Sequence, residues 1–348
     1  MVVAQRNAKD SMKSTWRTKD KSEWNFWMWF LDIIHVHPTD VGTEPPVHKK
    51  TDKMPYVTQT SSHIWIILHA LWPLVVHQLY VNYTGHNIHP AAAVALYSTA
   101  FTVNAIHQIN ALRRMGNAYG HLDGEVHRRD EVPDHSVRGV VQSLLSVAFL
   151  RPVMCTFLGW RSSQVPTDMT WWTPIEIGLY GVILDFWFYW YHRAMHDVSF
   201  LWKYHRTHHL TKHPNPLLTI YADTEQEIFD IIGIPLLTYA TMRLLGLPMN
   251  FYDWWMCHQY VAFSEVMGHS GVRVYTTTVS VHTKILGLFG CELTVEDHDI
   301  HHRMGYRKTK NYGKQTLLWD RLFGTAGKRI ECVEENVDFA DRIGFSWF

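Results

Sequence analysis

The stretch DFWFYWYHRAMHDVSFLWKYHRTHH occupies residues 185–209 and carries five of the chain's 24 histidines. It begins as an aromatic, apolar run, which is typical of a buried or membrane helix. Within it, His192 and His196 lie four residues apart, so on a helix their imidazoles are separated by only about 40° and can face one ion. The sequence HRTHH follows at residues 205–209. The stretch therefore predicts a helix with metal ligands at its end.

A third cluster, HDIHH at residues 298–302, has the same spacing as the second. On a helix, the first histidine of each shares a face with both members of the following pair, while the adjacent pair diverges by about 100°. Divergent imidazoles suit two neighbouring ions better than one. Eight such side chains are hard to satisfy as ordinary core or surface residues, so we expect metal at His192, His196, His205, His208, His209, His298, His301 and His302. Histidines outside the clusters, such as His86 and His127, are expected to be dispensable.

The composition favours a membrane protein. Hydrophobic residues make up 47% of the 348 residues, aromatic residues 14% and charged residues only 18%, which excludes a disordered chain. The net charge of +0 provides no basic field for nucleic acid. The four cysteines show no CxxC spacing, so any metal is bound by imidazole rather than thiolate. Imidazole-rich sites suit iron, zinc or copper rather than calcium or magnesium.

Residues 54–112 contain no Asp, Glu, Lys or Arg, which is long enough for two membrane spans. We place them at 64–81 and 91–109. Arginines follow the second span and mark the cytosolic side, so the turn with the glycosylation sequon Asn82-Tyr83-Thr84 is expected to be lumenal. Further apolar stretches cover residues 140–160, 171–191, 228–247 and 251–267. Each contains charges that should face a protein interior rather than lipid, so the expected total is four to six spans.

The clusters and their surroundings resemble the fatty acid hydroxylase and sterol desaturase superfamily of membrane di-iron oxygenases. The resemblance runs from about 185 to 325 and includes three features beyond the clusters. These are Asp185 and Tyr191 before the first cluster, the element His269-Ser-Gly, and a tail with NYG at 311–313 and WDRLFGT at 319–325. The first 140 residues show no resemblance of this kind.

The resemblance implies an all-α fold, a membrane helix bundle whose cytosolic cap holds two iron ions. It also implies that His269 is a ninth ligand. The expected reaction is hydroxylation of an apolar substrate, such as a fatty acyl chain, sterol or terpenoid, with O₂ and electrons from a donor such as cytochrome b5 and its reductase. Desaturation and the oxidation of a methyl group or an aldehyde run on the same type of site. A histidine-rich membrane metal carrier is a more distant alternative.

Acidic residues around the clusters are candidates for further roles. Many sterol-oxidising relatives have a histidine where this chain has Asp223, so this carboxylate is expected either to ligate iron or to orient a ligand histidine. Asp185, Asp197, Glu296 and Asp299 could accept the outer N–H of ligand histidines and so fix their tautomers. His282 is a further candidate for the surroundings of the site, and Glu265 is a possible carboxylate one helical turn before His269.

The chain is expected to have three parts. Residues 1–53 form a cytosolic N-terminal segment, in which the aromatic stretch 24–34 is either an interfacial helix or a core helix. Residues 54–138 form a membrane hairpin and a basic loop, and residues 139–348 form the catalytic domain. The resemblance and the sequon together place the protein in the endoplasmic reticulum, with its active site facing the cytosol.

Overall fold

The computed structural model describes residues 8–37, 40, 42–126 and 128–345. Residues 1–7 of the N-terminal segment and His127 therefore lie outside the described residues. The fold is mostly helical, at 60% helix with little sheet, which confirms the predicted helical class. The helices are α1 (Phe26–Ile33), α2 (Gln59–Thr84), α3 (Pro90–Tyr119), α4 (Val137–Gly159), α5 (Thr173–Asp197), α6 (Ser199–His205), α7 (Thr224–Ile228), α8 (Ile234–Leu244), α9 (Phe251–Gly268), α10 (Thr283–Gly287), α11 (Val295–Met304) and α12 (Leu318–Leu322), with a π-helical turn at Phe229–Gly233.

Helix α9 is the centre of the packing. It is buried along nearly its whole length and contacts α2, α3, α4, α5 and α11. Trp255 donates its indole N–H to the Ala70 carbonyl of α2 at 2.9 Å, and Asn104 of α3 donates to Gln259 at 2.8 Å. A helix that is apolar and aromatic on all sides is stable only when other elements cover it. The surrounding helices therefore fix the position of the residue that follows α9, which is His269.

Within the described ranges, two helices are long and apolar enough to cross a membrane, namely α2 and α4. Helix α2 contains the expected first span. Helix α3 covers the expected second span at 91–109 but is not one of these two. It carries amide side chains, and those of Asn104 and Gln108 turn into the protein core. The number of four to six spans remains a prediction.

Charges inside the apolar stretches face the protein interior, as expected. Arg151, Asp185 and Asp253 are all buried. Asp253 pairs with the hydroxyl of Thr173 at the start of α5, so this charge joins two helices. Arg243 is the exception, because it is exposed and donates to carbonyls just beyond the end of its own helix.

Helix α1 is amphipathic. The Asn25 side chain caps its start by accepting a hydrogen bond from the Trp27 N–H at 2.9 Å. Leu31 is completely buried in contact with other core side chains, whereas Phe26 and Ile33 are exposed. One face therefore belongs to the core and the other is free, and a location at a membrane interface remains a prediction.

A short parallel sheet was not expected from the sequence. It pairs β1 (Met54–Val57) with β2 (Val337–Ile343), with a shift of register between Pro55 and Tyr56. The paired residues Met54 and Val337 are 283 positions apart in the chain, so no local pattern predicts their pairing. The sheet fastens the end of the chain beside the start of α2.

Candidate metal centre

The three histidine clusters are carried by different local structures. His192 and His196 lie on one face in the last turns of α5, and the third cluster lies within α11. The second cluster differs from the expectation. His205 ends α6, while His208 and His209 begin a separate 3₁₀ turn, so this cluster is not one continuous helix. The break still sends the adjacent pair in different directions.

All nine predicted histidines are buried and form two groups in which the ligand atoms lie within 4.8 Å of one another. The first group is His192, His196, His205, His209 and His301, and the second is His208, His269, His298 and His302. Each adjacent pair is divided between the groups, as its predicted divergence requires. The groups are neighbours, because the ring centroids of His209 and His302 are 4.8 Å apart.

The outer nitrogens of the first group are held mainly by one loop. The Nδ1 atoms of His192, His196 and His301 lie 2.7–2.9 Å from the backbone carbonyl oxygens of Tyr312, Tyr306 and Lys310. A carbonyl oxygen can only accept, so each Nδ1 carries the proton and each Nε2 keeps a bare lone pair. Loop 305–313 therefore sets the tautomers of three histidines.

His205 is oriented in the same way by a side chain. Its Nδ1 lies 3.0 Å from the Gln226 amide oxygen, and its Nε2 lies 2.8 Å from the Nε2 of His192. Both Nε2 atoms are then unprotonated acceptors that point at each other in a buried site. Such a pair is repulsive unless a cation lies between or beside the lone pairs. The arrangement therefore fits a metal ion and no direct hydrogen bond.

Three of the four histidines in the second group follow the same rule, while the Nδ1 of His298 is buried with no hydrogen-bond partner among the described residues. The Nδ1 atoms of His208, His269 and His302 lie 2.8–3.1 Å from the backbone carbonyl oxygens of residues 221, 265 and 211. The Nε2 atoms of His208 and His269 are then bare and only 3.4 Å apart. The Nε2 of His302 is buried with no hydrogen-bond partner among the described residues. Adjacent ligands about 2.1 Å from a metal lie about 3 Å apart, which matches these nitrogen separations.

Burial keeps the imidazoles neutral, which is the form that binds metal. Desolvation lowers the pKa of His208 to about 3 and the pKa of His269 to about 4, and neighbouring imidazoles act in the same direction at His208. The nine side chains therefore offer nitrogen lone pairs at neutral pH rather than positive charges.

The carboxylates expected to orient these histidines contact arginines or backbone N–H groups instead. Asp299 pairs with Arg129 and Arg303, and the exposed Asp197 pairs with Arg193. Neither carboxylate accepts a histidine N–H among the described residues, and backbone carbonyls face the Nδ1 atoms of six of the nine histidines instead. Glu296 accepts the backbone N–H groups of residues 330–332 instead.

Asp185 and the tail motifs hold loop 312–316 in place. The Asp185 carboxylate accepts hydrogen bonds from the backbone N–H groups of residues 314–316 at 2.7–3.1 Å. Asp320 accepts from the N–H groups of Tyr312 and Gly313, each at 2.8 Å. A side chain at Gly313 would collide with the Thr316 carbonyl and the Asp185 carboxylate. Asp185 therefore acts on the metal centre through the loop whose Tyr312 carbonyl orients His192.

Asp223 and His282 lie outside both histidine groups. The Asp223 carboxylate accepts a hydrogen bond from the Thr207 hydroxyl at 2.8 Å, and the residue precedes the first turn of α7. The His282 Nδ1 lies 3.0 Å from the Ser280 hydroxyl. Glu265 forms ion pairs with Arg151 and Lys314 rather than joining a histidine group.

A large cavity adjoins the centre. It encloses about 1310 Å³, part of it open to the outside, and its walls come from α2, α3, α4, α5 and α9. His192, His205, His208, His269 and His298 contribute to its wall, so both groups border the same space. The rest of the lining is largely apolar. A hydrophobic chain lying in this cavity would therefore contact a largely apolar wall next to the centre.

Sequence reasoning missed several residues of the site. Gln226 lies in the acidic stretch after Asp223 and carries no ligand signature. The orienting carbonyls belong to the backbone, which leaves no trace in side-chain pattern. The buried pair of Arg129 and Asp299 joins residues 170 positions apart, and only the fold brings them together.

Comparisons with known proteins agree with this architecture. The family model for fatty acid hydroxylase matches residues 177–325. The chain is 44% identical over 313 residues to the fatty acid hydroxylase vlmA of a Lecanicillium species, covering 86% of each chain. That alignment extends the similarity well into the first 140 residues, which the sequence motifs alone did not connect to any family.

Two further relatives carry other activities in their names. A very-long-chain aldehyde decarbonylase, GL1-8 of Oryza sativa subsp. indica, is 30% identical over 58% of this chain and 72% of its own length. A Delta(7)-sterol-C5(6)-desaturase of Nicotiana tabacum is 32% identical over 45% of this chain and 51% of its own length. No solved structure matches the chain.

Proposed function

Because the chain belongs to the fatty acid hydroxylase family, we propose that it is a membrane oxygenase that hydroxylates an apolar, lipid-like substrate with O₂ at two iron ions. Membership makes the chain an oxidoreductase. The observation that carries the metal assignment is the set of bare, opposed Nε2 atoms in the two buried histidine groups. Iron bound there supplies the O₂ activation that attack on an unreactive C–H bond requires.

The residues of this chain provide the setting for that chemistry. Five histidines would hold one ion and four the other, with outer N–H groups fixed mainly by backbone carbonyls. The adjoining cavity, with its largely apolar lining, gives an apolar chain access to both groups. Electrons come from a separate donor, for which we propose cytochrome b5 and its reductase.

Desaturation or aldehyde oxidation is the second candidate reaction. It is favoured by the sterol desaturase and the aldehyde decarbonylase among the relatives. A membrane metal carrier is disfavoured, because family membership and an adjoining cavity for an apolar ligand both point to an enzyme.

We place the protein in the endoplasmic reticulum membrane, with the metal centre on the cytosolic side. The division into segments 1–53, 54–138 and 139–348 is part of this proposal, with catalysis assigned to the last. Helix α9 supports the placement of Asn82 and the metal centre on opposite sides of a bilayer. Its first turn lies beside the loops after α2 and α4, since Tyr252 and Asn87 both donate to the Gln164 carbonyl. Its 18 residues give about 27 Å to His269, close to the thickness of a bilayer core.

Metal analysis of the purified protein, joined to lipid mass spectrometry of cells that express it, tests the proposal. We expect two iron ions per chain and a product one oxygen atom heavier than its substrate. His208→Ala and His301→Ala each remove one member of a group, so each should abolish product and lower the iron content below two. His86→Ala is the matched control, because His86 is an exposed turn residue, and it should change neither quantity.

A measured content of one metal ion per chain or none, in a folded sample supplied with iron, would contradict the two-iron proposal. Zinc at two per chain would keep the site but indicate replacement, since zinc stands above iron in intrinsic affinity. Equal loss of product from His86→Ala and His208→Ala, at equal protein amounts, would mean that the ligand set is wrong. A product that lacks two hydrogens in place of gaining oxygen would favour desaturation.

A further inference from the structure

Two aromatic side chains connect the first histidine group with the protein surface. The ring centroid of Trp202 lies 5.1 Å from that of His196 and 5.6 Å from that of His209. Tyr306 stacks on Trp202, with ring centroids 4.2 Å apart and an interplanar angle of 23°. Both aromatic residues are partly exposed, whereas the two histidines are buried. The aromatic pair therefore extends from solvent to the metal ligands.

The aromatic pair is presented by one short helix and one loop. Trp202 belongs to α6, and Tyr306 belongs to loop 305–313. The Arg307 side chain donates to the Ser199 hydroxyl at 2.7 Å, which joins the loop to the start of α6. The helix and the loop thus form one continuous surface over the first histidine group.

This surface carries an excess of positive charge. Residues 193–212 and 303–310 contain eight Lys and Arg side chains but a single carboxylate, that of Asp197. Asp197 pairs with the arginine one helical turn before it, and carboxylates from elsewhere in the chain pair with Arg206 and Arg303. Four exposed cations form no ion pair among the described residues: Lys203, Arg307, Lys308 and Lys310.

The positive charge of these four side chains is not in question at neutral pH, because exposed Lys and Arg are protonated there. Metal ions bound in the histidine groups would add positive charge beneath the same surface. Two of the cations rest on aromatic rings, which hold them in place without neutralising them. The Lys203 ammonium lies 4.4 Å from the ring centre of Phe200, and the Arg307 guanidinium lies 5.2 Å from that of Tyr306.

We propose that this surface is the docking site of the electron donor, and that the donor is an acidic protein with a one-electron cofactor. The inference rests on the proposed function, which requires electrons from outside the chain. Carboxylates of the donor would face the four cations, because complementary charge steers and orients redox partners. The donor face consists of six residues: Trp202, Tyr306, Lys203, Arg307, Lys308 and Lys310.

Each docking event transfers one electron. The donor cofactor is oxidised by one electron, which passes by way of the aromatic pair to the metal centre and reduces it by one. Two such transfers, together with two protons from solvent, complete one hydroxylation with O₂. One oxygen atom then enters the substrate C–H bond, and the other leaves as water.

An anionic lipid surface is the other partner that four exposed cations could attract. The aromatic pair favours a protein donor instead. A redox partner must come close to the metal ligands, and Trp202 provides that approach in the middle of the cations. Lipid head groups have no use for such a connection.

Equilibrium binding of a labelled carrier tests the docking site. The probe is the oxidised soluble haem domain of cytochrome b5, an acidic protein, titrated into the metal-loaded protein in detergent. Reversal of two charges in Lys203→Glu/Arg307→Glu should weaken binding about tenfold or more. Raising the ionic strength from about 0.01 M to about 0.1 M should also weaken it, because the screening length falls from about 30 Å to about 10 Å.

Arg342→Glu is the matched control. Arg342 is an exposed cation on β2, outside both basic segments, and it forms no ion pair among the described residues. Its reversal changes the net charge of the protein in the same direction but does not alter the donor face. This variant should leave the affinity for the carrier unchanged.

Anaerobic stopped-flow oxidation of the reduced carrier separates docking from electron transfer. At low carrier concentration, Lys203→Glu/Arg307→Glu should slow the oxidation about tenfold or more. Electrochemically reduced methyl viologen, a small cation that needs no docking site, should reduce the centre of this variant at least as fast as before. Trp202→Leu, in samples matched for iron content, should lower the limiting rate at saturating carrier without changing its Kd.

An unchanged carrier affinity in Lys203→Glu/Arg307→Glu would overturn the inference. Equal slowing with the carrier and with methyl viologen would overturn it too, because it would indicate damage to the metal centre. The same variant is then compared in bilayers of phosphatidylcholine with and without phosphatidylserine. An effect that appears only with the anionic lipid would assign the cations to the membrane and would also overturn the inference.

Failure of this inference and failure of the proposed function are distinguishable, since carrier binding is measured without turnover. A protein that binds and oxidises the carrier through the donor face but forms no oxygenated product would contradict the proposed function alone. A protein that forms the product, but whose carrier affinity is the same in every variant, would contradict this inference alone.

Discussion

Individual histidines in this centre take their orientation from the backbone more than from charged neighbours. The Nδ1 atoms of His192, His196 and His301 face carbonyl oxygens of one loop, and those of His208 and His302 face carbonyl oxygens elsewhere. A backbone carbonyl survives every substitution. Changes to nearby acidic side chains should therefore disturb the metal ligands less than the ligand chemistry alone suggests.

Asp223→Asn is the sharpest test at the residue scale. The Asp223 carboxylate contacts the Thr207 hydroxyl and neither histidine group, and an amide oxygen can accept the same hydrogen bond. We expect iron content and activity within about twofold of the unchanged protein, in contrast to the 10–100-fold loss that follows removal of a residue that orients a metal ligand. Metal titration with an iron chelator measures the difference.

His208→Ala serves as the positive control in that titration, because it removes a member of the second group. A tenfold fall in metal affinity for Asp223→Asn would show that the carboxylate acts on His208 through Thr207. Complete metal loss would show that it is itself a ligand.

At the scale of an element, the packing of the His269-Ser-Gly turn after α9 explains why its third residue is a glycine. Gly271 has a φ of 57°, and a side chain there would overlap the guanidinium of Arg129. That guanidinium pairs with Asp299 in α11 and donates to the Leu122 carbonyl at 2.6 Å. The glycine therefore lets the turn that carries His269 pack against the ion pair that anchors the third cluster.

Gly271→Ala should destabilise the protein by at least about 3 kcal/mol, because it strains the backbone and displaces one partner of a buried ion pair. Gly246→Ala is the matched control. Its φ is 84°, yet nothing lies within 4 Å of the added carbon, so only the backbone term of about 1–2 kcal/mol applies. Thermal unfolding in detergent compares the two variants. Equal shifts in Tm for the two variants would show that the contact with Arg129 does not contribute to the effect of Gly271→Ala.

At the scale of the whole molecule, Asn82 and the metal centre lie at opposite ends of the helices. Asn82 lies in the last turn of α2, beside the turn whose Asn87 meets the loop after α4, whereas His269 follows the opposite end of α9. If the metal centre faces the cytosol, Asn82 faces the lumen. Expression with eukaryotic microsomes should then add a glycan at Asn82 that glycosidase removes and that Asn82→Gln abolishes.

A second sequon supplies the control. Arg307→Asn creates one with Thr309 on the exposed loop beside the first histidine group, and this position should stay unmodified. Modification at residue 307 but not at 82 would invert the proposed orientation.

The sequence predicted the parts of the molecule that repeat at helical spacing. Eight of the nine histidines and the burial of Arg151 and Asp185 follow from helical spacing or from the cost of exposing charge to lipid, whereas His269 and the all-α class were implied by the resemblance to the family. The roles of Asp299 and Asp185 did not follow, because their partners, Arg129 and the amides of residues 314–316, are distant in sequence. Strand β2 was missed for the same reason, since its partner lies almost at the other end of the chain.

Because the clusters are divided between the two groups, the histidines of the two groups are synthesised in a different order. Four of the five histidines in the first group belong to residues 192–209, whereas three of the four in the second belong to residues 269–302. A chain emerges from the ribosome with its N-terminal part first. Once residue 209 has been synthesised, the first group thus lacks only His301, while the second group has only His208. Neither group is complete before His301 and His302 have been synthesised, so the full ligand set forms only with the last fifth of the chain.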